Sequence, residues 1–523
     1  MTTEKVSRRN WLEIAGGTIV GLAVGAGAAT LIKPPAVTPT PTPCPTPTPC
    51  PTGVPEGIPV VGDTATERAL NAAKEVAKRD NVPSGFELTV LVGSAMAQSH
   101  EDSRALWESR TGVKLKFASV PSEELYDKAV SESVTKTGMY DVLHIEPYMV
   151  GEFAPGKLLR DVTDWARKYD PRLHGPPDGY VYPYDWQICY FRNRVYGLAT
   201  DADTAFIMCR KDLFDDPKEQ ENFESQYGYP LKYPTLWTEY RDIAEFFHRP
   251  PDLYGTLESR DYWGYWSWFM RHAATKWPVV YPWDDDVNAN VNNETGYLAT
   301  EQYVEATKFM HPDVIKLGYG EELDIMGKGK AAMAIFPASA AKFTNNPELS
   351  QVVGKIDVPP WVPGNMVDTP DGKKLLWKSI QGGGFIVTVS NYSKYPELAY
   401  LYIQFYASPE NIVTDSVAAG SWLDPCRYNQ MGPDADPRQV KASGRPVLLA
   451  SPYVIQHAVP LTPLVASHEY FARLQKNLQD CIIGVLSVQD AMAKTEKEWN
   501  EITDRVGREE QKKTWLAYKP WYG

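Results

Sequence analysis

The chain has 523 residues and a formal net charge of −13. This acidic balance excludes a surface built for nucleic-acid phosphates, which requires an excess of Lys and Arg. Six cysteines cannot hold a chain of this length together as a disulfide scaffold, so its core must be hydrophobic. The residues after position 60 are too many for one ordinary core and sufficient for two lobes.

The first 33 residues contain an apolar segment preceded by basic residues. Arg8 and Arg9 resemble the paired arginines of a twin-arginine export signal, and residues 14–32 are long enough to span a bilayer. The basic flank predicts a cytoplasmic N-terminus. A cleaved signal and an uncleaved membrane anchor both remain open, and we favour the anchor. Either one predicts that the rest of the chain lies outside the cell.

Residues 34–60 form a Thr/Pro-rich spacer, in which proline occupies every second position over 38–52. Proline fixes φ and removes an amide donor at every second position, which favours an extended polyproline II rod over helix or sheet. The spacer therefore predicts a stalk between the membrane and the folded domain at 61–523. Cys44 and Cys50 on this stalk are candidates for linking two molecules.

The first part of the folded domain alternates strands with helices. Strands are predicted at 86–93, 113–120 and 140–146, and helices at 101–110 and 122–134. A β-α-β-α-β order predicts a mostly parallel sheet, which binds ligands at the carboxyl ends of its strands. We therefore expect Ser94, Glu146 and Tyr148 to lie near a ligand.

Aromatic residues are the most informative part of the composition. The chain has 16 Trp and 30 Tyr, and many occur among polar residues, as at 182–191, 261–272 and 280–286. Sugar rings combine an apolar face with a rim of hydroxyls, so aromatic rings beside carboxylates and amides fit them. The alternative is that these rings fill the core or stiffen loops.

An enzyme is the main alternative class. The sequence contains no His-Glu-x-x-His motif, nucleophile elbow or phosphate-binding loop. The acidic run at 284–286 is a candidate calcium ligand set or half of a glycosidase pair, although such runs are usually solvated turns. We expect no catalytic residue, no metal and no cofactor.

Five motifs occur in the order found in one family of binding proteins. They are "YDVLHIEPYMVGEFAPGKLLRDVTDW" (140–165), "VYGLATDADTAFIMCRKDLFDD" (195–216), "YPTLWTEYRDIAEFF" (233–247), "MGKGKAAMAIFPASA" (326–340) and the stretch 381–425. Together they resemble extracellular solute-binding proteins of the maltose-binding type, with an anchor and stalk of archaeal type. The similarity covers about residues 85 to 515.

This resemblance implies a two-lobed α/β fold of type II, each lobe a mostly parallel sheet flanked by helices. Lobe 1 is expected at about 84–200 and 384–448, and lobe 2 at about 204–380 and 449–515. Crossovers are expected near 199–204 and 382–388, with the ligand held between the lobes.

The implied function is that of the substrate-binding subunit of an ABC importer. Its partners would be a small-molecule ligand, most plausibly an oligosaccharide, and permease subunits with a cytoplasmic ATPase. A peptide or another polar solute is the first alternative, and a surface glycosidase or a sensor or adhesin domain are further ones.

We expect ligand contacts from stacking rings, from polar groups that bind hydroxyls, and from the backbone. The candidates are Ser94, Glu146, Tyr148, Asp185, Trp186, Asp201, Trp263, Trp266, Trp283, Phe336, Ser339, Gly383 and Trp422.

Three further expectations concern cysteines and the C-terminus. Cys189 with Cys209, and Cys426 with Cys481, are candidate disulfides, and buried free thiols are the alternative. Apolar residues at helical spacing predict a helix over 486–506 that packs on a lobe. The tail beyond residue 506 has no functional interpretation from sequence.

Overall fold

The computed structural model describes residues 58–154, 157–261, 263–418 and 421–522. Residues 1–57 lie outside this range, and with them the predicted signal or anchor, most of the stalk, Cys44 and Cys50. None of the described helices combines the length and the apolar character needed to cross a bilayer.

Helices make up most of the described chain. The α-helices are α1 (Ala65–Arg79), α2 (Ser94–Thr111), α3 (Leu125–Thr135), α4 (Val150–Phe153), α5 (Thr163–Tyr169), α6 (Tyr184–Ile188), α7 (Lys211–Phe214), α8 (Pro217–Tyr227), α9 (Trp237–Phe247), α10 (Tyr265–Ala273), α11 (Glu294–Thr307), α12 (Tyr319–Gly327), α13 (Ser339–Thr344), α14 (Pro396–Tyr406), α15 (Pro409–Val417), α16 (Pro437–Ser443), α17 (Arg445–Gln456), α18 (Ser467–Ile482), α19 (Val488–Val506) and α20 (Arg508–Tyr518).

The strands belong to two main sheets and three small pairs. They are β1 (Glu87–Gly93), β2 (Lys114–Val120), β3 (Val142–Ile145), β4 (Tyr190–Phe191), β5 (Arg194–Val195), β6 (Gly197–Asp201), β7 (Phe206–Arg210), β8 (Met333–Phe336), β9 (Ile356–Asp357), β10 (Asn365–Thr369), β11 (Gly372–Leu376), β12 (Ser379–Gln381), β13 (Phe385–Val389) and β14 (Ala458–Pro460).

The first sheet has the order β2-β1-β3-β13-β6. β1 runs parallel to β2 and β3, as the β-α-β pattern predicts, and β13 is inserted antiparallel between β3 and β6. β3 and β13 are buried along their whole length, since helices cover the sheet. This sheet forms the core of the first lobe.

The second sheet has the order β8-β7-β9, and both pairs are antiparallel. A segment at 254–258 lies parallel to β8 through two isolated bridges, which makes the sheet mixed. The two-lobed α/β fold is confirmed, but a mostly parallel sheet holds for the first lobe alone. Because β7 and β8 are separated by several helices, no short βαβ crossover fixes their relative direction.

The chain passes between the two sheets at 202–205 and again at 382–384, within or beside the predicted crossovers. These passages are hydrogen-bonded to each other, from Gly382 N to Asp203 O at 3.0 Å and from Ala205 N to Ile380 O at 3.2 Å. Gly384 has φ +71°, and a Cβ there would lie 2.1 Å from Asp201 O, so glycine is required. The hinge role and the lobe boundaries stay predictions.

The C-terminal tail packs against the protein as α20 and a short 3₁₀-helix at Lys519–Trp521. Trp515 is fully buried, and Trp521 stacks on Trp186 with ring centroids 4.9 Å apart. Gln187 Nε2 donates to Trp521 O at 2.8 Å. The helix predicted over 486–506 is confirmed as α19.

The acidic run at 284–286 is bound by this tail. Asp285 pairs with Lys519 and Asp286 with Lys512, each at 2.5 Å. The Asp284 carboxylate instead accepts from the Asn288 amide at 2.8 Å, which closes a tight turn. The run therefore attaches the tail to the loop that carries it.

All four described cysteines are buried free thiols, so both predicted disulfides are wrong. Cys209 lies in β7 of the second sheet, whereas Cys189 follows α6, which packs beside β6 of the first. Burial raises the pKa of Cys189 to about 12. These thiols act as core residues.

Candidate ligand-binding cleft

A cavity of about 290 Å³ lies between the two main sheets. Met96, Glu146 and Phe385 reach it from α2, from the end of β3 and from the start of β13. Glu258, Trp266 and Phe336 reach it from the elements around the second sheet. Both lobes thus contribute walls, and the volume is close to the lower end of the range for small-molecule sites.

Aromatic rings form much of the cavity wall. Trp263 and Trp266 flank the start of α10 and stack with centroids 5.8 Å apart and an interplanar angle of 28°. Tyr319 lies 5.6 Å from Trp422 and 5.5 Å from Phe336. The rings therefore present two separate aromatic surfaces to a ligand.

The glycine triplet at 382–384 allows the backbone to approach Trp266 closely. A Cβ at Gly382 would lie 2.2 Å from the indole, and one at Gly383 would lie 3.0 Å from it. Any larger side chain at Gly382 would displace this ring. The triplet therefore fixes the position of the indole as well as linking the sheets.

Three carboxyl groups meet at the end of the cavity nearest the passages between the lobes. Asp201, Asp203 and Asp424 each place an oxygen within 4.8 Å of the others. The Asp424 amide donates to Asp201 Oδ1 at 2.5 Å, and the Gly384 amide donates to Asp203 Oδ2 at 2.8 Å. Asp424 also accepts from the Ser339 amide, which joins the cluster to the second lobe.

Burial raises the pKa of Asp203 above its ordinary value and the pKa values of Asp201 and Asp424 well above theirs. Repulsion between the carboxylates adds to the shift for Asp201 and Asp424. Burial likewise raises the pKa of nearby Glu146 to about 8; the Tyr148 hydroxyl opposes this shift and the charge of Asp203 adds to it. The cavity is therefore lined by acids that hold protons unusually strongly.

Lys342 is the basic group of this cluster. Its Nζ donates to the backbone carbonyls of Ser421 and Leu423 at 2.8 Å each and of Ser416 at 3.0 Å. Burial lowers its pKa to about 8, against the three carboxylates, which raise it. All three of its protons are thus directed at carbonyl oxygens.

The three carboxylates could also hold a hard cation, since calcium and magnesium bind oxygen ligands. The Lys342 ammonium in the same cluster opposes a divalent ion there. The expectation of no metal stays a prediction.

Glu258 lines the cavity and belongs to a buried ion cluster. Its carboxylate binds Arg271 at 2.7 and 2.9 Å and Arg260 at 3.3 Å, and accepts from Tyr240 at 2.9 Å. Despite the opposing effect of burial, the two guanidinium groups lower the pKa of Glu258 to about 2. Its charge is therefore already compensated within the protein.

The structure brings most of the predicted site residues to one place. Seven of them line the cavity: Glu146, Asp201, Trp263, Trp266, Phe336, Ser339 and Trp422. Gly383 lies directly behind Trp266. Their role in ligand binding stays a prediction.

Two predicted residues at the carboxyl ends of the first-lobe strands miss the cavity. α2 begins directly after β1, so Ser94 occupies its exposed first turn and Met96 reaches the cavity instead. Tyr148 is 3% exposed, and its ring packs on Phe471 at 5.6 Å. Its hydroxyl lowers the pKa of the neighbouring Glu146, which does line the cavity.

Three further predicted residues lie in the packing of the tail or the core. Asp185 is 2% exposed and Trp283 is 1% exposed. The Trp283 ring stacks on Trp499 at 4.9 Å, and Trp186 stacks on Trp521. These rings stack on other rings of the protein, and neither they nor Asp185 belong to the lining of the cavity between the sheets.

Several residues at the site were not among the predicted ones: Asp203, Asp424, Lys342 and Tyr319. Asp203 follows Asp201 by two positions, and Asp424 follows Trp422 by two, so both carried a signal: an acidic residue beside a residue already selected. Lys342 lies in a helix whose sequence resembles an ordinary surface segment.

Two lobes that enclose an aromatic, acidic cavity at their junction define a cleft-binding protein rather than a receptor with a flat docking surface. The chain belongs to the bacterial extracellular solute-binding protein family, whose sequence profile matches residues 93–413, more than half of the chain.

Known relatives are distant in sequence and similar in fold. The erythritol/L-threitol-binding protein of Mycolicibacterium smegmatis is 20% identical over 423 residues, which cover 71% of this chain and 80% of that protein. An ABC transporter solute-binding protein from Agrobacterium radiobacter K84 in complex with ribitol has TM-score 0.64 and 19% identity, covering 80% of this chain and 99% of that one. Maltose-bound MalE3 of T. maritima has TM-score 0.65 and 18% identity, covering 80% and 100%.

Proposed function

We propose that this chain is the substrate-binding subunit of an ABC importer and that it captures a carbohydrate or polyol between its lobes. The observation that carries the proposal is the cavity itself, whose lining combines indole rings with carboxyl groups. Such a wall complements both the C–H face of a sugar and its hydroxyl rim. The polyol and sugar names of the similar proteins support the same ligand class.

Delivery requires the closed, loaded protein to dock on permease subunits that a cytoplasmic ATPase drives. A ligand that contacts both lobes stabilises the closed form, because the open form offers only half of its contacts. The protein returns its ligand unchanged, as expected for a binding subunit. Incubation with oligosaccharides followed by product analysis tests this, and shortened products would support a glycosidase instead.

The location outside the cell rests on the N-terminal sequence. Basic residues followed by the apolar segment 14–32 support a membrane anchor or a cleaved signal, and the Thr-Pro repeat at 34–60 supports a stalk of archaeal type. Fractionation of cells into membrane and medium, with mass spectrometry of the N-terminus, distinguishes an anchor from a cleaved signal.

Ligand class is tested by thermal shift with sugars, alditols, peptides and polyamines. Saturating ligand raises the melting temperature, since binding at 100 times Kd stabilises by about 2.7 kcal/mol. Stabilisation by peptides and by no sugar or polyol would overturn the carbohydrate assignment.

Matched tryptophan variants locate the site. Trp266→Ala and Trp422→Ala should each weaken binding of the identified ligand at least about tenfold, as expected for loss of a stacking surface. Trp277→Ala is the control, because Trp277 is 47% exposed and lies outside the cavity lining. Equal affinities in all three variants would place the ligand elsewhere.

A further inference from the structure

The site contains more acid than base. Three carboxyl groups line this part of the cavity, those of Glu146, Asp201 and Asp203, and the carboxyl group of Asp424 lies beside the two aspartates. The ammonium group of Lys342 interacts electrostatically with the three aspartates. Among the described residues that line the cavity, none is a Lys, an Arg or a His. Glu258 does not add to the imbalance, because Arg260 and Arg271 compensate it.

Lys342 itself donates no hydrogen bond to the carboxyl groups. Its three hydrogen bonds go to the carbonyls of residues 416, 421 and 423, so it acts on the aspartates only through space. Asp424 is fully buried, and its Oδ2 has no hydrogen-bond donor among the described residues. Its neighbour Asp203 is also a carboxyl group, and two carboxylates cannot donate to each other. Asp203 and Asp424 therefore need a proton or a positively charged donor between them.

The aromatic walls suit the same kind of donor. Trp266 lies against Gly383, which adjoins Asp203, so an indole face and a carboxylate border the same volume. Trp422 is two residues before Asp424 on the chain, and it also lines the cavity. Indole faces attract ammonium groups as well as sugar C–H groups.

We propose that the ligand carries a protonated amino group in addition to hydroxyls, as an amino sugar does, and that Asp203 and Asp424 receive this ammonium. The inference rests on the proposed function and narrows its ligand class. The ammonium donates to the unpaired Asp424 oxygen and to Asp203, while the indoles cover the ring of the sugar. A neutral sugar supplies a weaker, uncharged donor at the same position.

The test is calorimetric titration and thermal shift of the full chain with sets matched at one substituent. Glucosamine, N-acetylglucosamine and glucose form one set, and the β-1,4-linked disaccharides of the same three units form another. Galactosamine with galactose, and mannosamine with mannose, vary the ring. The expected result is at least one set in which the amine binds about tenfold tighter than its neutral partners, about 1.4 kcal/mol.

The outcomes separate this inference from the proposed function. If neutral sugars or alditols bind and no amine binds more tightly than its partner, the inference fails and the carbohydrate function stands. If no member of any set and no alditol binds, both fail.

Variants test the assigned contacts. Asp203→Asn keeps an acceptor for the Gly384 amide but loses the charge, so it should remove most of the tenfold preference, measured as the ratio of the affinities for the amine and for its neutral partner in the same variant. Asp424→Asn is the second variant, and exposed Asp313→Asn is the control. An undiminished preference for the amine in both folded cleft variants would overturn the assignment of these residues.

Calcium is titrated alone as a competing cation. Stabilisation by calcium that disappears in Asp203→Asn, together with no amine preference in metal-free buffer, would show a metal site in place of an ammonium site.

Discussion

Glu146 should make the protein less stable as the pH rises. Its pKa in the folded state is about 8, against an ordinary value of 4.5, because burial disfavours the charged carboxylate. The unfolded chain releases the Glu146 proton above pH 4.5, whereas the folded protein retains it up to about pH 8. The contribution of protonated Glu146 to the stability of the fold is therefore fully present below pH 4.5 and is lost as the pH rises through 8. Glu146→Gln should flatten the fall in unfolding free energy by up to about 1.4 kcal/mol per pH unit.

Urea unfolding at intervals between pH 4 and pH 9 measures this effect. Glu301→Gln serves as control, because Glu301 is exposed on α11. Only the Glu146 variant should gain stability relative to the wild type at pH 8. Parallel curves for all three proteins would mean that Glu146 is solvated in the folded state.

The ion cluster around Glu258 should show the opposite pH dependence. Glu258→Gln leaves Arg260 and Arg271 buried without a counter-charge, and loss of one partner of a buried ion pair costs about 3–5 kcal/mol. Since the folded pKa of Glu258 is about 2, its contribution is present above pH 4.5 and is lost as the pH falls through 2. The deficit of the variant should therefore be smaller at pH 3 than at pH 7.

An exposed pair provides the comparison. Asp324 binds Lys328 on the surface of the α12 end, with both side chains more than half exposed. Asp324→Asn should change the urea midpoint little, since exposed pairs contribute about 0–1 kcal/mol. Similar losses in both variants would mean that the buried cluster stabilises the fold no more than an exposed pair does.

Which aromatic residues line the cavity could be predicted only in part. Trp266 and Trp283 occur in equally polar, aromatic stretches, yet the first faces the cavity and the second stacks on Trp499. The difference arises from α18 to α20, which cover Trp283 from a distant part of the chain. Asp424 was missed for the same reason, because it joins Asp201 only in the folded structure.

At the scale of elements, the tail is a packing element of the domain. Trp515→Ala on α20 removes a fully buried indole that packs 5.8 Å from Trp283, and should cost about 3–5 kcal/mol. Leu516→Ala, one position along, is the matched control, because Leu516 is 43% exposed. Its cost should stay within about 0.5 kcal/mol.

Thermal unfolding of the two variants checks this. A small shift in Trp515→Ala would mean that α20 detaches without cost. Residues 507–523 could not be interpreted from the sequence, because "GREEQKKTWLAYKPWYG" begins with a polar run and the contacts of its Trp and Tyr rings appear only in the fold.

Element type was easier to predict than element limits or direction. Strands β1 to β3 follow from their apolar runs, but α2 begins seven residues before the predicted 101, because Ala95, Met96 and Ala97 continue the helix to Gly93. As a result Met96, and not Ser94, lines the cavity. The direction of β7 and β8 could not be predicted, since residues 211–332 separate them.

At the scale of the whole molecule, the residues of the cavity imply movement of one lobe against the other. Glu146 and Phe385 belong to the first lobe and Glu258 and Trp266 to the second, and the chain passes between these two halves of the site at 202–205 and 382–384. Because a ligand that touches both halves is bound fully only when they approach, binding should shift the population toward a more compact form.

Small-angle scattering of the protein with and without its identified ligand measures this shift. The radius of gyration should fall on saturation in the wild type and in the surface control Trp277→Ala. It should fall less in Trp266→Ala at equal occupancy, because that variant lacks the indole through which the second lobe holds the ligand. A radius unchanged by saturating ligand in the wild type would show that the cleft binds without closing, and the lobes would then act as a rigid cradle.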